Sequence, residues 1–235
     1  MLSCLLEETL RRLYPPTCVL CGASGCGGLD LCAGCLADLP TDSRSCSRCA
    51  LPLPAEGSPA ALCGACQRRP PPFAVCHAAF RYEDPLPALV GGAKFRARLN
   101  LLRLLGQCSA ITLRERNAQI PELLLPVPLH RSRLRERGYN QAQEVARILG
   151  RAFAIPVDAR SCVRIRATVP QTGLEQKERR RNLRGAFRVL NPLDGVHVAI
   201  VDDVVTTGST VSELARVLLK SGAGRVDVWA VARTP

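Results

Sequence analysis

From about residue 73 onward the apolar positions follow two rhythms, short continuous runs and three- or four-residue repeats, and these predict alternating strands and helices. The runs place strands at residues 75–82, 123–128, 158–165, 196–200 and 226–231. The repeats place helices at about residues 85–108, with Gly91 and Gly92 as a weak point, at about 140–152, and at 211–219. Strands separated by helices imply an α/β domain, a mostly parallel sheet with helices on both faces.

The strand at 196–200 runs into Val201, Asp202, Asp203, Val204, Val205, Thr206, Thr207, Gly208, Ser209 and Thr210, and a helix follows directly. Such a loop aims backbone N–H groups and hydroxyls into a helix N-terminus, where the dipole favours a phosphate. Gly208 permits the tight turn and close backbone approach. A Thr/Gly/Ser string alone is equally what an N-cap and turn look like. The acidic pair tips the reading, because two carboxylates at the end of a buried strand repel each other and lose hydration unless something binds them. They can accept hydrogen bonds from a sugar diol or hold Mg²⁺. A phosphate cradle beside a diol-binding pair points to a phosphorylated ribose.

A second polar loop, with Arg131, Arg133, Arg135, Arg137 and Gly138, follows the strand at 123–128 on the same edge of the sheet. The guanidinium groups of Arg133 and Arg137 suit a diphosphate, whose oxygens they bind two at a time, and Gly138 would let backbone N–H groups approach. A solvated basic face leading into a helix is the plainer reading of this stretch. Residues 166–183 are too polar to bury and read either as a basic lid or as an ordinary solvated loop.

Thirteen cysteines change the picture of the first third. Cys18 and Cys21 with Cys32 and Cys35 form one set of C-x-x-C pairs, and Cys46 and Cys49 with Cys63 and Cys66 form another. Each set predicts a structural zinc site, four thiolates closing a tetrahedron at about 2.3 Å with no open position. Disulfides are the alternative, disfavoured in a reducing compartment. Pairing within each set is the simpler assignment, and a cross-braced one also fits the spacing; Cys26 is a substitute or spare ligand, and His77 reads as structural. A segment rich in Gly, Pro and Ala cannot fold on burial alone, so metal would supply much of its folding free energy. Arg68, Arg69 and the prolines that follow mark its end, giving an N-terminal helix and zinc module at 1–72 and a larger domain at 73–235.

The 235 residues, 47% apolar, suffice for one packed domain plus a small module. The first residues mix acids with arginines and no run approaches about 18 apolar residues, so neither a signal peptide nor membrane insertion is expected, and cytoplasmic residence is the default. A net charge of +12 predicts anionic partners.

Apolar residues, two acids and Thr-Thr-Gly-Ser-Thr resemble the phosphoribosyl diphosphate (PRPP) loop of type I phosphoribosyltransferases. Over nearly its whole length the chain resembles the ComF family, phosphoribosyltransferase-like proteins linked to DNA uptake, and its GntX relatives. Besides that loop, the paired cysteine knuckles, Val127-Pro128-Leu129, Arg137-Gly138-Tyr139-Asn140-Gln141, Gln171-Thr172, Arg179 and Asn182-Leu183 carry the resemblance. It implies a type I phosphoribosyltransferase-like parallel sheet with a small hood, the phosphate loop on Thr206, Thr207, Gly208, Ser209 and Thr210, the ribose acids on Asp202 and Asp203, and the diphosphate loop on Arg137 and Gly138. It also implies PRPP bound with Mg²⁺ and phosphoribosyl transfer, in which Asp202 and Asp203 stabilise oxocarbenium charge and Asp203 is a candidate general base. The hood that selects the acceptor base in better-known members has no recognisable base-binding motif here. Charge and the zinc module suit a competing class, a protein that binds single-stranded DNA or a partner from the competence machinery and uses the PRPP site as a sensor or not at all. With 4% aromatic residues, stacking platforms are scarce, so nucleic acid would be held by its backbone.

Overall fold

The computed structural model describes residues 15–41, 44–54, 61–95, 98–167 and 183–235. The chain divides into two compact units, Met1–Leu39 and Pro40–Pro235. The expected N-terminal helix and most of the expected lid, residues 168–182, lie outside the described residues.

In the first unit a short helix, α1 (Ala33–Ala37), starts on Cys32, whose sulfur accepts the Cys35 N–H at 3.4 Å. Leu29 and Leu31 are buried. So small an apolar core leaves metal binding to hold the unit together.

The second unit is built on β1 (Cys76–Arg81), β2 (Leu123–Pro126), β5 (His197–Val205) and β6 (Arg225–Arg233). They run parallel in the order β1-β6-β5-β2. The central strands are buried from Val198 to Val201 and from Val226 to Ala232, as strands covered on both faces must be. Alternation assigns the faces. Ile200, Val226 and Val228 pack with Val211, Leu214 and Leu218 of α7 (Ser209–Lys220). The other face carries α4 (Leu99–Glu115) and α6 (Gln141–Phe153), where Phe153 lies 5.3 Å from Trp229 of β6 between ring centroids. Asn140 caps α6 by accepting the Ala142 N–H at 3.1 Å, and its amide donates to the Val127 carbonyl at 3.0 Å, which fixes the start of α6 to the end of β2.

Three expected elements change. The helix expected over 85–108 is two, α3 (Leu86–Phe95) and α4, and Gly91 and Gly92 lie inside α3 instead of ending it. A Cβ at Gly92 would come within 2.9 Å of Leu101 Cδ1, so this glycine serves the close approach of α3 to α4. The strand expected at 158–165 shortens to β3 (Cys162–Arg164), because the Asp158 carboxylate accepts the N–H groups of Arg160 and Ser161 and turns the chain first. β3 pairs antiparallel with β4 (Phe187–Val189), an element the apolar pattern did not predict, and the two form a separate small sheet. The arginine loop is itself a helix, α5 (Arg131–Arg137), capped by His130 and closed by Gly138 in the left-handed conformation.

Candidate functional site

Each cysteine set converges. A zinc tetrahedron with Zn–S of about 2.3 Å has edges of about 3.8 Å. The Cys21 and Cys32 sulfurs lie 3.6 Å apart, as do those of Cys49 and Cys63. The four sulfurs of Cys18, Cys21, Cys32 and Cys35 lie within 4.8 Å of one another, and so do those of Cys46, Cys49, Cys63 and Cys66. Pairing is therefore within each set, cross-bracing is ruled out, and Cys26 belongs to neither. Burial raises the Cys18 and Cys46 thiols, but backbone N–H groups aimed at their sulfurs outweigh it and bring them down to about 6 and about 7. Neighbouring sulfurs push the Cys35 thiol up and burial pushes Cys49 and Cys66 up, so it is the convergence of four sulfurs in each set that fits zinc, which these two tetrads would bind as structural sites. In the second set Cys63 caps α2 (Gly64–Arg68), mirroring Cys32 on α1.

Parallel strands bring their carboxyl ends to one rim, where ligands of such sheets bind. Val205 pairs with Arg233, Arg81 also pairs with Arg233, and Pro126 pairs with Val201, so α3, α5 and the turn after β5 all rise from that rim. Asp202 and Asp203 are still part of β5, not of the loop. Asp203 has partners on both oxygens: Lys94 Nζ of α3 is 2.6 Å from Oδ2, and Oδ1 accepts the Val204 N–H at 2.9 Å. Asp202 Oδ1 accepts the Asp203 N–H at 2.9 Å. The protein packed around half-buried Asp202, and then the charge of Asp203, push its carboxyl well above the usual carboxylate range, with Lys94 opposing. Burial pulls Lys94 down, but the charge and hydrogen bond of Asp203 outweigh it, so the ammonium holds its proton more firmly than usual.

Beyond the acids, Gly208 adopts φ +72° as the N-cap of α7, with no side-chain cap. A Cβ there would meet nothing nearer than Val205 Cγ1 at 4.0 Å, so backbone conformation, not space, calls for glycine. Thr207 Oγ1 and Ser209 Oγ lie 2.9 Å apart at the same helix mouth. Thr207 Oγ1 accepts the Ser209 N–H at 3.4 Å, and a twelve-residue helix whose mouth is flanked by such hydroxyls, with no cap from Gly208 itself, is suited to an anion. Across the rim, Arg137 is in the last turn of α5, and the Gly138 N–H donates to the Leu134 carbonyl at 2.8 Å, so in this conformation it closes the helix and is not offered to a ligand. Tyr139 donates its hydroxyl to the carbonyl of Ala93, the neighbour of Lys94, and so ties the arginine segment to the acidic pair through the end of α3.

A cavity of about 1020 Å³ is lined by the loop at Thr206, Thr207, Gly208 and Ser209 and by Cys66, Arg69 and Pro71, and the two acids are not on its wall. Arg233, 7% exposed, crosses beside it. Its Nε donates to the Cys49 carbonyl at 3.2 Å and its Nη1 to the Val205 carbonyl at 3.2 Å, and Nη1 also meets the carbonyls of Thr206 and Thr234. One guanidinium thus joins the second cysteine tetrad to the start of the phosphate-type loop.

The family model for the double zinc ribbon domain matches residues 9–78. DNA utilization protein YhgH of Escherichia coli O157:H7 is 36% identical over 225 residues, covering 94% of this chain and 98% of that protein. Competence protein F of Haemophilus influenzae is 35% identical over 178 residues, covering 73% of this chain and 78% of its own. The chain belongs to the ComF family. Among solved structures, the purine phosphoribosyltransferase from Pyrococcus horikoshii Ot3 aligns with 56% of this ComF chain and 72% of its own, at 24% identity and a TM-score of 0.33.

In this ComF chain Asp202, Asp203 and Thr206 to Thr210 share one strand–turn–helix junction, with Arg137 and Gly138 on the same rim. Sequence reasoning missed Lys94 and Arg233. A single lysine near the end of a helix carries no motif, whereas an arginine continuing a buried apolar strand was a readable sign that its charge has partners. Among the described residues no helix is long and apolar enough to cross a membrane.

Proposed function

We propose that this ComF chain binds PRPP with Mg²⁺ on the rim of its sheet and transfers the phosphoribosyl group. The observation that carries the reading is the juxtaposition of two adjacent carboxylates, Asp202 and Asp203, with a glycine-started helix mouth lined by hydroxyls in one continuous segment. The 5′-phosphate lies on Thr206, Thr207, Gly208, Ser209 and Thr210, the ribose hydroxyls donate to Asp202 and Asp203, and the diphosphate faces Arg137. Asp202 and Asp203 are also the residues that would hold Mg²⁺, and the ion would supply charge neutralisation for the diphosphate. In the transfer the bond from the anomeric carbon to the diphosphate oxygen breaks and its electron pair leaves with the diphosphate. The positive charge left on the sugar is stabilised by the two carboxylates until the acceptor nucleophile forms the new bond. Lys94 and the Val204 N–H occupy both oxygens of Asp203, which favours this electrostatic role over proton abstraction.

Titration with PRPP in Mg²⁺ tests the reading. The full chain binds, and an Asp202→Asn, Asp203→Asn double variant does not; unchanged binding by that variant would sink it. A second reading draws on relatives named for DNA utilization and competence and on the net charge of +12. In it the chain acts in the cytoplasm on single-stranded DNA or a protein partner, with the PRPP site as a sensor. Trp229, Phe73, Phe80 and Phe187 are buried and Tyr82, Tyr139 and Phe153 are half-buried, so such DNA would be gripped mainly by its phosphates and released by salt. Diphosphate release from PRPP in the presence of acceptors favours transfer, and salt-sensitive DNA binding that survives the paired Asp→Asn change favours the second reading.

A further inference from the structure

Lys94 is absent from the motifs that define the site, yet it makes the shortest ion pair to the acidic pair, 2.6 Å from Asp203 Oδ2. The contact is sheltered, with 23% of the lysine side chain and 13% of the aspartate side chain exposed. Its place is fixed on two sides. Tyr139 holds the preceding carbonyl of Ala93, and the absence of a side chain at Gly92 lets α3 close on Leu101 of α4. A lysine held this way does not spend binding energy on ordering itself when a ligand arrives.

We propose that Lys94 is a positioning residue of the ligand site, a built-in counter-cation that lets Asp202 and Asp203 accept the hydroxyls of a ribose 5-phosphate group without a divalent ion. The proposal rests on the PRPP reading above. Two carboxylates side by side normally draw a divalent cation or give up a charge. With the ammonium in place, one of the two negative charges is neutralised by the protein itself, so a neutral diol can donate hydrogen bonds to the pair. Mg²⁺ is then required only by a ligand that brings its own diphosphate. The ligand class of the rim is accordingly wider than PRPP and includes 5-phosphorylated riboses whose anomeric position carries no diphosphate.

Calorimetric titration of the full chain, with its zinc retained, separates this from a merely structural link between α3 and β5. The probes are ribose 5-phosphate and PRPP, each in metal-depleted buffer and in millimolar Mg²⁺. Wild-type affinity for ribose 5-phosphate changes less than about twofold with Mg²⁺, whereas PRPP gains from it. Lys94→Met weakens ribose 5-phosphate binding at least about tenfold without Mg²⁺, as the loss of a sheltered ion pair at the acids requires, and Mg²⁺ restores part of it. Lys94→Arg keeps the charge and stays within about threefold of wild type. Ribose 5-phosphate binding by the wild type that depends on Mg²⁺, or a loss in Lys94→Met that Mg²⁺ does not relieve, overturns the proposal while PRPP binding stands. Failure of the wild type to bind PRPP under any condition overturns the PRPP reading and the proposal together.

Discussion

Arg233→Met should loosen the second cysteine tetrad and the phosphate-type loop at once. The guanidinium is buried and donates to the Cys49, Val205, Thr206 and Thr234 carbonyls. Hydrogen bonds from a charged donor are worth about 1.5–3 kcal/mol each and do not add independently. Methionine fills similar volume but takes the charged donor away from all four carbonyls, of which Val205 keeps the Thr234 N–H at 3.1 Å, so the expected loss is about 3 kcal/mol, or about 6–12 °C in the melting temperature of a unit this size. The loss should be local as well as global. Zinc release to a chromogenic chelator should become faster for one equivalent per chain and stay unchanged for the other, because the first tetrad belongs to the other compact unit. Arg233→Lys, which reaches fewer carbonyls, falls between. A melting temperature unmoved by Arg233→Met, or equal acceleration of both zinc equivalents, would refute the link.

Asp202→Asn should raise the melting temperature at neutral pH while weakening PRPP binding. Its carboxyl is pushed above the usual range by burial and Asp203, so ionising it costs the folded state stability as pH rises through that raised value. The gain from Asn therefore shrinks as pH falls toward the ordinary carboxylate range, and a pH series of melts checks the sign. Asp227→Ala removes a fully buried carboxylate that meets His197 at 2.8 Å and Arg225 at 3.1 Å, and should cost about 3–5 kcal/mol in urea unfolding. Those contacts sit at the amino ends of β5 and β6, so PRPP affinity measured on the folded fraction should not change. Gly208→Ala forces a Cβ into a left-handed conformation at a cost of about 1–2 kcal/mol, and should weaken PRPP binding without changing zinc content.

The junction from β5 to α7 was legible because three local signals coincide there: a continuous apolar run, a polar turn with glycine, and an amphipathic repeat. The zinc tetrads were legible from spacing alone, although their pairing needed three dimensions. What escaped depends on contacts between distant residues. β4 has three residues and becomes a strand only by pairing with Cys162 to Arg164, too short a stretch for alternation to register. α5 was hidden by its composition, since arginines on every side of a seven-residue helix leave no apolar face to read. Gly91 and Gly92 suggested a break because glycine weakens isolated helices, and packing against Leu101 overrode that tendency. Lys94 could be assigned to Asp203 only when two elements more than a hundred residues apart in sequence were brought to one rim.

The second zinc ribbon is built into the sheet unit, and its weave can be tested by cutting the chain. The Cys76 N–H at the start of β1 donates to the Arg48 carbonyl at 2.9 Å, and the Arg48 guanidinium donates to the Pro71 carbonyl at 3.1 Å. The Arg81 N–H donates to the Pro40 carbonyl at 2.8 Å, and Ala50 packs into the cluster that holds Phe73, Cys76 and Val226. A fragment starting at residue 73 loses every one of these partners, orphans Arg233 from Cys49, and uncovers Phe73 and Cys76. A fragment starting at residue 40 keeps them all. The longer fragment should therefore be soluble, bind one zinc per chain and melt cooperatively, and the shorter one should aggregate or melt without a cooperative transition. If the fragment from residue 73 melts as sharply and as high as the one from residue 40, the second ribbon is an appendage, and the cavity it walls has no structural claim on the loop beside it.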